Sequence, residues 1–208
     1  MIITKSPTIN NSGHVLGQFF KSKCNNYAYI PIPKCASTWT TKYVSDGLGW
    51  TVSKGHENIV AFKTRNIVVL REPISRWISG MAQYLTMHHP KTLLHGRELI
   101  EFIFKRIDFD DHTMPQVNYL HGLDSDEIVF FKFDNDLENN VKYFIKDNTG
   151  QVYDEPVFRN DTPPDGFKAY ANKKLKILLE SNEQWKNNVV QYYKDDINLY
   201  SSVTYYGK

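Results

Sequence analysis

A chain of 208 residues with 41% hydrophobic and 14% aromatic side chains holds enough material for one compact core and too little for two full-sized ones, so a single domain is expected. Its 25 basic and 23 acidic residues leave a net charge of +2, which argues against a broad field for nucleic acid or an anionic membrane and makes any anion site local. The two cysteines, Cys24 and Cys35, are too few for a disulfide framework and are not spaced as metal ligands, and no apolar run reaches the length of a membrane span. The expectation is a soluble, cytoplasmic protein without a structural metal.

Residues 1–25 read as an irregular N-terminal segment, with turn signals at Asn11–Ser12 and Asn25–Asn26. Residues 27–32 (YAYIPI) are aromatic and β-branched and predict a strand, and 38–44 follow as a helix ending near Gly47 and Gly49. The pattern recurs at 66–70 (NIVVL), a continuous apolar run suited to a strand covered on both faces, followed by a helix from Pro73 through Met81. A third unit pairs a strand at 128–133 with a helix over 137–145. Further helices are predicted near 97–106, 169–181 and 183–193, and the Asn-, Asp-, Gly- and Pro-rich stretch 147–165 predicts a long connection of the kind that often forms a lid or binding segment. Strands alternating with helices predict an α/β domain with a parallel central sheet flanked by helices.

The segment PKCASTW, Pro33 to Trp39, falls where a strand turns into a helix, so backbone N–H groups there can face an anion. Lys34 adds a charge and Ser37 and Thr38 add hydroxyl donors, a set suited to phosphate or sulfate. The bland reading is that Ser37 and Thr38 cap the helix and Lys34 is solvated. The glycines and terminal Lys-Ser/Thr of a Walker A loop are missing, which disfavours ordinary ATP or GTP hydrolysis.

After the second strand comes REPISRWISG, Arg71 to Gly80, with Arg71 at the carboxyl end of the sheet, where ligands of open α/β folds bind. Arg71 and Ser79 could hold a second phosphate, while Arg76 either joins them or pairs with Glu72 on the helix surface. This pair of segments resembles the sulfotransferase superfamily, whose PKxxxT(T/S) and RDPxxRxxS motifs bind the two ends of the donor nucleotide PAPS (3′-phosphoadenosine 5′-phosphosulfate); Glu72 stands in place of the Asp. DHTMPQVNYL (111–120), the IVFFKFDNDLENNVKYF stretch and the final YYKDDINLY are similar to regions of the Golgi carbohydrate sulfotransferases.

The resemblance implies a P-loop-like sulfotransferase fold that uses PAPS as co-substrate and releases PAP. It implies that Lys34, Cys35, Ala36, Ser37 and Thr38 surround the 5′ side, that Arg71 and Ser79 take the 3′-phosphate, and that Trp39 either stacks on adenine or packs in the core. Ala36 departs from the Gly of many relatives, and the membrane anchor of the Golgi enzymes is not found in this sequence. The acceptor is expected to be a glycan or a small hydroxylated metabolite, with no nucleic-acid or membrane partner and an oligomeric state that the sequence leaves open.

Sulfuryl transfer needs a base and a cation near the departing phosphate oxygen. Lys34 is the expected cation. His56 in KGHENI is the first candidate base, His112 in DDHTMPQ the second and Glu57 the third. His88, His89, His95 and His121 show no paired helical metal spacing and read as solvated or acceptor-facing. Acceptor specificity is expected in the variable loops around 88–97 and 153–167. The competing readings are a nucleotide kinase or other phosphotransferase on a P-loop-like fold and a catalytically inactive PAP- or PAPS-binding module.

Overall fold

The computed structural model describes residues 1–4, 17–55, 64–88, 101, 103, 104, 106–155 and 166–207. Among them lie five strands, β1 (Gln18–Lys21), β2 (Tyr27–Ile30), β3 (Thr51–Lys54), β4 (Arg65–Leu70) and β5 (Ile128–Lys132). Six α-helices accompany them: α1 (Ser37–Lys42), α2 (Pro73–His88), α3 (Leu137–Thr149), α4 (Phe167–Ser181), α5 (Glu183–Tyr192) and α6 (Lys194–Ser202).

The sheet order is β3-β1-β2-β4-β5. β2, β4 and β5 are parallel, with Ile30 opposite Val68 and Val68 opposite Phe130. The expected parallel pairing therefore holds on one side of the sheet, from β2 to the edge strand β5, but β1 runs antiparallel to both β2 and β3, so the sheet is mixed. The N-terminal segment expected to be irregular contains β1. Its four residues, QFFK, are too short for alternation to be legible, and the Asn25–Asn26 turn joins two strands instead of preceding the first. Residues 22–26 can link only antiparallel neighbours, and Asn25 takes a left-handed φ of 56° to do so.

β4 is buried from Asn66 to Leu70 because the sheet is covered on both faces, the condition its unbroken apolar run implied. One core cluster packs around the sheet and includes Tyr29, Ile67, Val69, Phe131, Val141 and Phe144. A second joins Trp77, Met81 and Leu85 of α2 to Leu175 of α4 and Val189 of α5. The four described residues between 101 and 106 are helical, and Ile103 and Phe104 enter this second cluster. Most of the expected 147–165 connection and the first part of the expected 97–106 helix lie outside the described residues. No helix among the described residues is long and apolar enough to cross a membrane.

Candidate functional site

The carboxyl ends of β2 and β4 are neighbours, so the turns that follow them open on the same edge of the sheet. After β2 the backbone enters the left-handed region twice, at Lys34 (φ 68°) and Ala36 (φ 55°). L-residues pay for this conformation, so the surroundings must hold it. Ala36 is the N-cap of α1 and has no side chain able to cap, so the capping role considered for Ser37 and Thr38 is not the one they occupy: they are already inside the helix.

Two arginines hold the turn. Arg71 donates from Nη1 to the Lys34 carbonyl at 3.2 Å. Arg76 is fully buried and donates to the carbonyls of Pro33 (2.9 Å), Met114 (2.7 Å) and Asp111 (3.4 Å). The surface ion pair between Arg76 and Glu72 is not formed. The Glu72 carboxylate instead accepts from the backbone N–H groups of Ile74 and Ser75, capping α2 (3.0 and 2.7 Å).

The second turn is held by Gln116, to which the sequence assigned no role. Its Oε1 accepts from the Arg71 N–H at 3.0 Å and its Nε2 donates to the Arg71 carbonyl at 3.0 Å, pairing with that residue as a strand would. The Cys35 thiol also donates to Oε1, at 3.2 Å, so one side chain joins both turns. Gln116 is fixed in turn by Asp196 of α6, whose carboxylate accepts the N–H groups of Gln116 and Val117 at 2.8 and 2.9 Å. Burial raises the Asp196 pKa, with Arg76 and these N–H donors opposing it.

The turns enclose one pocket of about 660 Å³. Lys34, Ala36, Ser37, Thr38, Trp39, Arg71, Ser79 and His112 all line it. Cys35 does not; it is buried behind the turn, and burial raises its thiol pKa. Trp39 is 5% exposed and its ring stacks on Tyr43 at 5.3 Å, so it packs in the core while also lining the pocket. Arg71 lies over the Phe133 ring at 4.7 Å. Lys168, at the start of α4, also lines the pocket, and no local signal separates it from the other lysines of that helix. Burial, followed by Lys168, Arg71 and Arg76, pushes the Lys34 ammonium down to about 8.

His112 is brought to the pocket by a close backbone approach, since a Cβ added at Gly80 of α2 would lie 2.1 Å from the His112 carbonyl oxygen. Its Nδ1 is 2.9 Å from carboxylate oxygens of both Asp110 and Asp111. Burial opposes its charge, but these two bonds outweigh it and raise the pKa to about 9. His112 is therefore an imidazolium at neutral pH, which makes it an anion ligand first and a base only after losing that proton. Asp110, Asp111 and His112 also offer ligand atoms within 4.8 Å of one another, and a metal there would have to displace the imidazole proton. His56 and Glu57, like His89 and His95, lie outside the described residues, and His88 ends α2 beside Tyr84.

No protein-family model matches the chain, and neither the curated proteins nor the solved structures contain a match to it.

Proposed function

We propose that this protein is a PAPS-dependent sulfotransferase with a P-loop-like fold, acting on a hydroxylated acceptor in the cytoplasm. The observation that carries the reading is the convergence of both motif turns on a single polar pocket, where Lys34, Arg71, Lys168 and His112 outnumber the carboxylates Asp134 and Glu138. Such a pocket suits a ligand with more than one anionic group. In this reading Ser37, Thr38 and Lys34 hold the 5′-phosphosulfate, and Arg71 and Ser79 hold the 3′-phosphate. The Lys34 charge stabilises the oxygen that departs as PAP, where electrostatic help lowers the barrier most. The free thiols Cys24 and Cys35 fit a reducing compartment.

His56 remains the proposed base. His112 can take that part only as pH approaches its raised pKa of about 9.

Incubation with radiolabelled PAPS, and separately with ATP and magnesium, against a panel of phenols, alcohols and glycans tests the reading. Label transfer from PAPS alone is the expected result. Transfer from ATP would make the protein a phosphotransferase, and PAP binding without any transfer would make it a binding module.

A further inference from the structure

Lys34 of the β2–α1 turn and Lys168 of α4 both line the pocket, and the Lys168 amine lies within hydrogen-bonding reach of the Lys34 amine. A lysine ammonium has three donors and no lone pair, so two ammonium ions cannot bond to each other. Such a contact forms when one of the two is a neutral amine, or when an anion stands between them. Burial disfavours the Lys34 charge first, and Lys168, Arg71 and fully buried Arg76 act in the same direction. The arginines cannot relieve the crowding by losing a proton, so the lysine pair must. The other charged groups on the pocket are His112, paired with Asp110 and Asp111, and the carboxylates Asp134 and Glu138 beside the start of α3. Among the described residues no ion pair joins Lys34 or Lys168 to a carboxylate.

We propose that Lys34 and Lys168 form one oxyanion clamp, which shares a single proton in the ligand-free protein and takes up a second as a sulfate or phosphate group seats between the two amines. The inference rests on the reading of this pocket as the PAPS site, and it adds that the Lys34 charge assisting the departure of PAP arrives with the donor. Without the anion, the neutral amine accepts an N–H from its neighbour. An anionic oxygen then replaces that lone pair as the acceptor, both ammonium ions donate to it, and the extra proton comes from solvent. Because the proton is bound more tightly in the complex than in the free protein, anion affinity is greatest below a pH of about 8 and falls as pH rises above it.

The test titrates inorganic sulfate and PAP into the protein calorimetrically at a pH of about 8, in buffers of different ionisation enthalpy, which yields the protons taken up per anion bound. Sulfate does not titrate in this range, and the phosphates of PAP have already lost their second protons, which leave at about pH 6. Expected for the wild type is an uptake of about half a proton with either probe, because Lys34 is about half charged there in the free protein. Lys168→Arg keeps a permanent charge beside Lys34 and should retain the uptake, whereas Lys168→Met should lower it at least about twofold. Lys168→Gln serves the same purpose if Lys168→Met fails to fold. PAP binding without proton uptake, uptake that the neutral variants leave unchanged, or uptake that disappears in His112→Gln instead overturns the clamp and leaves the PAPS reading in place. Sulfate binding with an uptake that Lys168→Met lowers, in protein that ignores PAP, supports the clamp while removing the PAPS reading. Binding of neither probe overturns both.

Discussion

The turns after β2 and β4 occupy neighbouring positions on the sheet edge and are stabilised in opposite ways. The first is a strained backbone held from outside: Lys34 and Ala36 are left-handed, no side chain caps α1, and arginines from the second motif bind its carbonyls. The second has no left-handed residue, caps its own helix with Glu72, and has Arg71 paired with Gln116 as if with another strand. The second turn is therefore the scaffold and the first depends on it. Ligand groups in the first turn are placed by Arg71, which lines the pocket, and by Arg76 and Gln116, which do not.

Removing the support should have the largest effect. Arg76→Met leaves three carbonyls without their donor inside the core and should cost about 3–5 kcal/mol of stability, read from urea unfolding. A loss under about 1 kcal/mol would mean that the first turn holds itself. Arg71→Ala removes a ligand group from the second turn and should weaken PAP binding by more than about 1.5 kcal/mol, roughly tenfold, in a calorimetric titration. Unchanged PAP affinity would remove the assigned 3′-phosphate site.

The pH response separates His112 from both turns. Its folded pKa, about 9, lies above the ordinary value of 6.5, so its pairing with Asp110 and Asp111 stabilises the fold fully below pH 6.5. That contribution is lost as pH rises through about 9. Discounted for partial exposure, the loss should be about 1 kcal/mol and should vanish in His112→Gln, as measured by unfolding at pH 6 and pH 10. In turnover, a limb near the ordinary histidine range that survives His112→Ala points to His56, and a limb near pH 9 that disappears points to His112. The smallest effect is a gain: Ala36→Gly relieves the left-handed strain and should stabilise by about 0.5 kcal/mol, the relief being partly offset by the entropy glycine loses on folding. A destabilised Ala36→Gly protein would show that the methyl packs usefully in the turn.

What could be read from the sequence was local. The apolar runs of β2, β4 and β5, the helices that follow them and the two strand-to-helix turns each declare themselves within about ten residues, because side-chain periodicity and turn chemistry act over that distance. Lys34, Ser37, Thr38, Arg71, Ser79 and His112, all named from such local segments, line one pocket. β1 escaped because four residues carry too little pattern. The remainder depends on contacts far apart in the chain. Gln116 meets Arg71 across 45 residues, Cys35 across 81 and Asp196 across 80. Arg76 looked like a surface helix residue by spacing, yet tertiary packing buries it under three carbonyls. The sequence also supplied a histidine beside two aspartates, but only the fold set both carboxylates on one ring nitrogen in a half-buried place, and that placement determines its charge.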